Sequence, residues 1–293
     1  MWHAGRVEPA RLMWTLYEPV HSVIYFAPEA RERLAEAGLR GFWRGYFAGR
    51  AAPLGPVGAA PVVAAFFNFA PAMVARALPD VWQRATPAGV LHARTAAATA
   101  ALATLAADLP KAGIIEAADR LAEVTAKLDH AGRVLGAANA ALPVPDDPLS
   151  RLWQATTTLR EHRGDGHVAA LVAAGLGGCE VLAWRAAHDL SREILQPNRG
   201  WDDEQWQAAT RRLHERGWLD ANGRPTATGV SAFHQIEAAT DRACADAWTG
   251  ADTGRLRALL TPLARACHTR IPPLNPIGLP IPGGNGEKAP KHI

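Results

Sequence analysis

Cysteine is scarce in this chain, and the few cysteines form no recognisable motif. Only three occur, Cys179, Cys244 and Cys267, and none belongs to a Cys-x-x-Cys pair. A disulfide framework or a structural zinc site needs paired or closely spaced cysteines, so the sequence favours neither. We expect the chain to work in a reducing cytoplasm.

Long apolar runs and cofactor motifs are also missing. The most apolar stretch, residues 57–75, is interrupted by Pro61, Asn68 and Pro71, whereas a membrane span needs about 20 apolar residues. The N-terminus has no apolar segment of the signal-peptide type. No dinucleotide or phosphate loop, nucleophile elbow or zinc-protease motif is found. The sequence therefore predicts a soluble protein without a membrane span, a cofactor or a metal.

The charge balance is close to even. Lysine and arginine number 31 against 28 acidic residues, which gives a formal net charge of +3 at pH 7. Nucleic-acid-binding modules concentrate positive charge on one face, so this total does not indicate such a partner by itself. Hydrophobic residues make up 48% of the chain, which supports a sizeable core and excludes a disordered protein.

Helical patterns run through most of the sequence. Alanine, the strongest helix former, is abundant, and proline follows Thr86 and Asp147 at positions that suit the first turn of a helix. These patterns predict helices over residues 29–37, 87–108, 114–141 and 148–162. The expected fold class is mostly α, with long amphipathic helices that pack as bundles or dimer interfaces.

Two proline-rich segments divide the chain. Residues 142–147, Leu-Pro-Val-Pro-Asp-Asp, disfavour helix. We expect a linker there, between an N-terminal helical domain (residues 1–142) and a C-terminal domain (residues 147–270). Residues 271–293 are rich in proline and glycine. They are expected to form an extended tail on the surface or on a partner subunit.

A repeat links the two halves. Residues 46–55, Tyr-Phe-Ala-Gly-Arg-Ala-Ala-Pro-Leu-Gly, precede an apolar helix predicted over 61–69. Residues 167–178, His-Val-Ala-Ala-Leu-Val-Ala-Ala-Gly-Leu-Gly-Gly, precede a helix predicted over 179–187. Both segments have the order helix, small-residue turn, helix, which is typical of the helix-turn-helix motif. The sequence therefore predicts two such motifs in tandem.

The clearest architecture lies in the last third of the chain before the tail. Asp202 or Asp203 can cap a helix that ends before Gly217, and Thr228 can cap a second helix that runs to about residue 248. Between them, Asn222-Gly223 separates two short extended segments and predicts a tight β-hairpin. Helix, hairpin and helix form the second half of a winged helix, with the hairpin as the wing.

This part of the chain resembles the winged-helix proteins of the MarR type. The likeness is carried by residues 213–220, Leu-His-Glu-Arg-Gly-Trp-Leu-Asp, by 226–230, Thr-Ala-Thr-Gly-Val, and by 236–241, Ile-Glu-Ala-Ala-Thr-Asp. The whole chain also resembles a helix-turn-helix family of actinobacterial proteins, through residues 18–22, 41–55 and 66–71. Both resemblances imply a fold of tandem helix-turn-helix or winged-helix units.

A winged helix that binds DNA places its recognition helix in the major groove. In this chain that helix is predicted over residues 203–216. The candidate contacts with bases or phosphates, one of them on the wing, are Gln205, Arg211, Arg212, His214 and Arg224. The alternative is that these side chains form an ordinary solvated surface, because Glu204 and Glu215 lower the positive charge of the same helix.

Aromatic residues are concentrated in the N-terminal third. All three tyrosines and six of the seven phenylalanines lie between residues 17 and 69. Aromatic walls with a few polar groups are typical of a site for a small aromatic or apolar ligand, in which Arg44 or Arg50 would bind a carboxylate or phenolate. The candidate ligand-binding residues are Tyr17, His21, Tyr25, Trp43, Arg44, Tyr46, Phe47, Arg50, Phe66, Phe67 and Asn68. The alternative is a core or a subunit interface.

Glu18 and His21 have a spacing that suits an acid–base pair on one helix face. If the protein is an enzyme, His21 is the expected acid or base and Glu18 orients it. The same spacing occurs in metal sites of helical bundles, and His234 with Glu237 repeats it in reverse. Such sites need further carboxylates from other helices, so no metal site is predicted.

Together these patterns favour a ligand-responsive transcriptional regulator that works as a homodimer. Its expected partners are a small aromatic or apolar molecule and double-stranded DNA. Two alternatives remain open. One is a cofactor-independent enzyme of secondary metabolism, with the aromatic pocket as its active site. The other is a winged-helix DNA glycosylase in which Glu18 or another carboxylate activates water.

Overall fold

Helices form nearly all the regular structure of residues 9–279 and residue 282, the part of the chain that the computed structural model describes. This confirms the mostly α fold class. In chain order the helices of this part are α1 (Pro9–Phe26), α2 (Pro28–Glu36), α3 (Phe42–Ala51), α4 (Ala59–Phe66), α5 (Pro71–Ala75), α6 (Pro87–Leu105), α7 (Lys111–Thr125), α8 (Val134–Ala140), α9 (Pro148–Ala173), α10 (Gly178–His188), α11 (Arg192–Leu195), α12 (Asp203–Glu215), α13 (Ala227–Arg242) and α14 (Thr253–His268).

Five long helices share the largest hydrophobic core. α1 packs along α14 and α9, and α9 also packs along α6 and α7. Met13, Leu16 and Val20 recur on one face of α1 and meet Leu121 of α7 and Leu260 of α14, all of them fully buried. The spacing of the three α1 residues is the apolar stripe of an amphipathic helix, so this face of α1 is buried in the bundle.

The loop at residues 142–147, predicted as a linker, joins helices of this same bundle. α9 begins directly after it, and the side chain of Asp147 accepts a hydrogen bond from the Ser150 amide as its N-cap. Leu152 and Trp153 of α9 are buried in the core that α1 and α7 build. The hydrophobic core therefore continues across the loop.

The first module, as it is called here, consists of α3 to α6 (residues 42–105), where the sequence predicts the first helix-turn-helix unit. Its core is aromatic, because Phe47, Phe66 and Phe69 pack against one another with ring centres 5.1 to 6.3 Å apart. Such contacts stabilise beyond simple burial. Thr86 caps α6 as the sequence predicts. Seven residues, 52–58, separate α3 from α4, and the predicted helix-turn-helix motif of the N-terminal half stays a prediction.

The second module consists of α9 to α13 (residues 148–242). α9 and α10 meet at 96° across a turn in which Gly175 has a positive φ of 69°, and such an angle is usual for a helix-turn-helix. Asp202 caps α12, and Gly217 (φ 68°) follows its end, as predicted. Leu213 is buried on the inner side of α12. The second half of the chain thus contains the predicted order of helix, small-residue turn and helix.

The two modules begin their closing helices with the same cap. At α6, Thr86 Oγ1 accepts a hydrogen bond from the Gly89 amide at 3.1 Å. At α13, Thr226 Oγ1 accepts one from the Gly229 amide at 3.0 Å. The cap of α13 lies two residues before the predicted Thr228, because the hydroxyl of Thr226 reaches the free amides of the first turn.

The predicted β-hairpin wing is not formed. Among the described residues, the segment between α12 and α13 has a single antiparallel bridge, Leu219 to Pro225, and no strand. No ladder extends from the bridge, because the Arg224 amide donates to the side chain of Asp220 rather than to its carbonyl, and α13 begins two residues after Pro225. Asp220 organises the turn instead, because its Oδ1 accepts hydrogen bonds from the amides of Asn222 and Arg224 at 2.8 Å.

Several predicted helix boundaries are wrong. The helix predicted over 61–69 corresponds to α4, which ends at Phe66 because a tight turn follows at Phe67. The predicted helix over 114–141 is divided into α7 and α8 by a loop that contains Gly132 with a φ of 71°. α9 continues to Ala173 rather than to about residue 162, since packing on several neighbours outweighs its glycines. α13 ends at Arg242 rather than near residue 248.

No single helix of the described residues is long and apolar enough to cross a membrane. By length and composition alone, the bent pair of α9 and α10 meets that criterion when the two helices are taken together.

The described part of the C-terminal tail lies against the second module of its own chain. Asn275 and Leu279 are buried, and Arg199 donates a hydrogen bond to the carbonyl of Pro276 at 2.9 Å. The remainder of the arm that the sequence predicts, residues 280–281 and 283–293, lies outside the described residues.

Candidate ligand-binding cavity

A cavity of about 240 Å³, called here the central cavity, lies where the two modules meet. The first module contributes α3 and the segment after α4, and the second contributes α9, α10 and α13. The aromatic walls are formed by Trp14, Tyr46, Phe66, Phe67, Phe69, Trp184 and Phe233. Ordinary ligand pockets span about 300–1,000 Å³, so this cavity suits a molecule of one or two small rings.

Phe67 is held in a strained turn at the wall of the central cavity. Its φ of 60° and ψ of −56° are rare for an L residue, and the Asn68 amide donates to the Phe66 carbonyl at 2.7 Å, which closes a γ-turn. Gly178 at the start of α10 lies so close to the Phe67 carbonyl that a side chain there would overlap it. This contact fixes the turn of the first module against the second, and backbone strain often marks a binding site.

The central cavity is rich in arginine. Five arginines line it, and four of them form ion pairs with carboxylates. Glu161 pairs with Arg50 and Arg160, Asp241 pairs with Arg163, and Asp189 pairs with Arg185. Because a buried charge is costly unless it is paired, these four cations are compensated within the protein.

Arg199 is the cavity arginine that has no carboxylate partner among the described residues. It is 7% exposed. Its Nη1 and Nη2 donate to the carbonyls of Asn198 and Pro276, and the guanidinium lies 4.7 Å from the centre of the Phe69 ring. Burial, with the charges of neighbouring arginines, lowers the pKa of Arg199 to about 10. Since its charge is uncompensated, Arg199 is a candidate anion-binding group.

Arg50 and Glu161 form the wall between the central cavity and a second cavity of about 70 Å³. Nε and Nη2 of Arg50 donate to the two carboxylate oxygens at 2.9 and 2.8 Å, and Arg160 donates to the same carboxylate at 2.8 Å. Burial opposes ionisation of Glu161, but the two cations outweigh it and hold its pKa well below the usual range. The wall is therefore a charged network.

His21 faces the smaller cavity. Its Nδ1 lies 2.9 Å from Thr157 Oγ1 and its Nε2 lies 2.9 Å from the Tyr25 hydroxyl. The ring also stacks on Trp153 at a centroid distance of 6.0 Å. Burial, reinforced by the charge of Arg160, lowers the pKa of His21 well below its usual value. The imidazole is therefore neutral at pH 7 and hydrogen-bonded at both nitrogens.

The side chain of Glu18 faces the central cavity and is not hydrogen-bonded to His21. Trp14 Nε1 donates to its carboxylate at 3.2 Å, and Arg160 lies 3.5 Å away. Burial raises the pKa of Glu18 in spite of the Arg160 charge. The predicted acid–base pair, in which Glu18 orients His21, is not formed, because both ring nitrogens of the histidine have other partners.

The described residues do not favour a metal site or a reactive cysteine. No group of three or more histidine, cysteine, aspartate or glutamate side chains is placed to hold a metal ion there. The three cysteines are buried. Burial raises the pKa of Cys179 to about 11 and that of Cys267 to about 12, so both thiols are protonated and unreactive at pH 7.

The predicted ligand-binding residues fall into three groups. The central cavity contains Tyr46, Arg50, Phe66, Phe67 and Asn68. The smaller cavity contains His21 and Tyr25, together with Tyr46 and Arg50. Neither cavity is lined by Tyr17, Trp43, Arg44 or Phe47. Tyr17 stacks on Trp248 and Phe47 is fully buried among aromatic rings, so for these two the core interpretation is correct.

Most of the residues that line the central cavity were missed by sequence reasoning. Arg163, Trp184, Arg199 and Phe233 belong to the second module, far along the chain from the aromatic N-terminal third. A usable signal was present in residues 160–165, Arg-Glu-His-Arg-Gly-Asp. Consecutive charged residues cover every face of a helix, so a helix packed on several sides must bury some of them.

Two of the predicted DNA contacts are engaged within the chain. Arg212 forms an ion pair with Glu180 of α10. The side chain of Gln205 accepts a hydrogen bond from the Asp202 amide as part of the cap of α12. Both side chains therefore help to hold α12 in place.

The other three predicted contacts lie at the end of α12 and in the turn that follows. His214 is half-buried, and its Nδ1 lies 3.2 Å from the Leu219 carbonyl. Arg211 and Arg224 are exposed. The N-terminal end of α12 is acidic, because residues 202–204, Asp-Asp-Glu, are exposed there. Positive charge thus lies toward the C-terminal end of the helix.

The chain belongs to a helix-turn-helix family. The family model, described as "Helix-turn-helix family", matches residues 10–272, which include both modules and most of the residues that line the central cavity. No curated protein and no solved structure matches the chain.

Proposed function

We propose that this protein is a ligand-responsive DNA-binding regulator in which a small aromatic molecule controls how α12 meets DNA. Membership of a helix-turn-helix family supports DNA as the partner. The observation that carries the ligand response is that both modules line the central cavity, with Tyr46 and Phe66 from the first and Trp184 and Phe233 from the second.

A direct set of contacts joins the cavity to α12. Trp201 lies two residues before α12, and its Nε1 donates to the carbonyl of Asn68 in the cavity wall at 2.9 Å. The amide of Ala70 donates to the carbonyl of Arg199 at 2.8 Å. A ligand that contacts Phe67 and Asn68 would therefore shift residues 199–201, the segment that positions α12. The response requires unequal affinity of that ligand for two arrangements of the modules.

The DNA-contacting surface is assigned to the C-terminal end of α12 and the turn after it. Arg211 and Arg224 are exposed there, so both are able to reach phosphates or base edges. The exposed carboxylates at residues 202–204 repel phosphate and make the other end of the helix unsuitable. The reduced turn at residues 220–224 takes the place of a wing.

Selection from a random duplex library, followed by fluorescence anisotropy, tests DNA binding. The variant Arg211→Ala/Arg224→Ala is compared with Arg257→Ala/Arg265→Ala, which removes two exposed arginines of α14. Loss of two phosphate contacts should reduce the slope of log K against log salt by about 1.8, and the control should leave it unchanged. Absence of binding by the wild type at low salt contradicts the regulator proposal.

The ligand response is tested on the DNA complex with indole and 2-naphthamide as uncharged aromatic probes. Each should change the affinity for the selected duplex, because filling the cavity favours one arrangement of the modules. Val168 of α9 lines the cavity, and Val168→Phe should remove the response by filling the same space. A response that survives in Val168→Phe contradicts the assignment of the cavity.

A further inference from the structure

Three residues that line the central cavity each carry a buried N–H group without a hydrogen-bond acceptor among the described residues. The groups are Nε of Arg199, Nη1 of Arg163 and Nε1 of Trp184. Their side chains are 7%, 6% and 2% exposed. An unsatisfied buried donor is costly and uncommon in a folded protein. Three of them around one cavity indicate a bound group that supplies acceptors.

We propose that the central cavity binds an aromatic carboxylate, with the carboxylate at Arg199 and the ring between the aromatic walls. The inference rests on the proposed function, because it names the chemical class of the ligand that the regulator would sense. Arg163 and Trp184 supply the further donors around the same molecule.

The charges of the wall favour an anion over a neutral ligand. Five arginines face the cavity against three glutamates, Glu18, Glu161 and Glu237. Arg160 lies beside both Glu18 and Glu161, and Arg11 forms an ion pair with Glu237. The carboxylates of the wall thus already have cationic partners, whereas Arg199 has no carboxylate partner in the described part of the chain. An anionic ligand would compensate that charge in a site of low dielectric constant, where pairing is strong.

The walls favour an aromatic carboxylate over inorganic phosphate. Phe69 lies under the guanidinium of Arg199, and the rings of Phe66 and Phe67 continue the same wall. A carboxylate on a ring matches both features, since guanidinium binds planar carboxylates with two parallel hydrogen bonds and the ring removes apolar surface from water. Phosphate would fill little of the 240 Å³ and would leave the apolar wall unused.

Arg94 provides a matched comparison in the smaller cavity. It is 5% exposed, its Nε also lacks an acceptor in the described residues, and burial lowers its pKa to about 10. Its guanidinium lies 5.5 Å from the centre of the Trp153 ring, and the charge of Glu161 acts on it favourably. That cavity measures only about 70 Å³. Arg94→Met thus imposes the same chemical change as Arg199→Met at a place that the inference does not use.

Isothermal titration calorimetry on the full chain, without DNA, tests the inference. The probes are benzoate and 2-naphthoate, their neutral amides benzamide and 2-naphthamide, and inorganic phosphate. At least one carboxylate should bind about 10- to 100-fold more tightly than its amide, because a hydrogen-bonded charge pair is absent from the amide complex. Arg199→Met should remove that advantage, whereas Arg94→Met should keep it. The melting temperature of Arg199→Met should be no lower than that of Arg94→Met.

Three outcomes overturn the inference. The first is that an amide binds as tightly as its carboxylate and Arg199→Met has no effect, which would leave the regulator proposal intact. The second is that Arg94→Met abolishes binding and Arg199→Met does not, which would move the anion to the smaller cavity. The third is that the aromatic carboxylates show no preference over phosphate, either because phosphate binds with equal affinity or because neither carboxylate binds. DNA binding by the wild type is measured separately and does not depend on these results.

Discussion

Gly229 lies so close to Trp218 that a methyl group on its α-carbon would overlap the Trp218 carbonyl oxygen. The contact holds the first turn of α13 against the short segment after α12. Gly89 occupies the same position after the cap of α6, but there the nearest atom to an added Cβ is the side-chain oxygen of Thr86 at 3.3 Å. The two glycines therefore form a matched pair.

Gly229→Ala should lower the free energy of unfolding by about 1–3 kcal/mol, because backbone must move to admit the methyl group. Gly89→Ala should be neutral or should stabilise by up to about 1 kcal/mol, as expected for alanine in a helix. Urea denaturation followed by tryptophan fluorescence measures both. Equal effects of the two substitutions would show that the close approach at Trp218 is unimportant.

Glu161→Gln should destabilise the protein by about 3–5 kcal/mol, because Arg50 and Arg160 would then be buried without their common carboxylate. The control is Glu116→Gln. Glu116 also pairs with two arginines, Arg120 and Arg255, but on the surface, where solvent screens the charges and ion pairs contribute little to stability. Urea denaturation at pH 7 compares the two variants, and a loss of similar size in both would contradict the importance of burial.

Protonation of His162 should lower the stability of the protein as the pH falls from about 6.5 toward 4. The side chain is 5% exposed and its Nε2 donates to the Asp129 carbonyl at 3.1 Å. Burial, with the charge of Arg133, lowers its pKa to about 4, whereas the unfolded chain has a value near 6.5. Between these values the unfolded state binds one more proton, so the free energy of unfolding rises by at most about 1.4 kcal/mol per pH unit.

His162→Gln should reduce the change of the free energy of unfolding with pH by at most about 1.4 kcal/mol per pH unit. The control is His92→Gln, because His92 is exposed. His21 also makes stability rise with pH, since its pKa is lowered in the folded protein. This contribution is the same in the wild type and in the variant, so it does not affect the comparison. Chemical denaturation at several values between pH 4 and pH 7 gives the two curves, which should not be parallel. Parallel curves would mean that His162 titrates normally in the folded protein.

Asn275→Ala should release the described part of the tail. The side-chain oxygen of Asn275 accepts hydrogen bonds from the amides of Ile277 at 3.0 Å and Gly278 at 2.9 Å. Without it, the backbone at residues 275–279 exchanges its amide hydrogens faster. Hydrogen–deuterium exchange by mass spectrometry detects the change, and Asn222→Ala in the exposed turn is the control. Unchanged exchange at residues 275–279 would contradict this role.

The helical part of the fold could be predicted because local chemistry decides it. Thr86, Asp147 and Asp202 cap α6, α9 and α12 at the expected positions, since a short polar side chain before a helix satisfies free amides whatever surrounds it. The wing could not be predicted in the same way. Asn222-Gly223 does form a turn, but the Asp220 side chain accepts the Arg224 amide and α13 begins early, so pairing stops at one bridge. That balance depends on tertiary packing.

The site was harder to predict than the fold. The aromatic concentration indicated the first module's side of the central cavity, including Phe66, Phe67 and Asn68. The other side consists of residues such as Arg163 and Arg199, which no periodic pattern connects to the N-terminal third. A cavity between modules depends on long-range packing, and sequence spacing carries no information about which side chains meet there. For the same reason, the i to i+3 spacing suggested a Glu18–His21 pair that the structure does not form.

The two modules share one polypeptide but have different sequences, and this affects what a DNA site for the protein would look like. A symmetric dimer presents two identical recognition helices related by a two-fold axis, and its operators are therefore palindromes. Here α12 carries arginine at its exposed end, whereas α5 in the first module is only five residues long. A target recognised by a single chain would therefore be directional, and inverting it relative to a promoter would change the outcome.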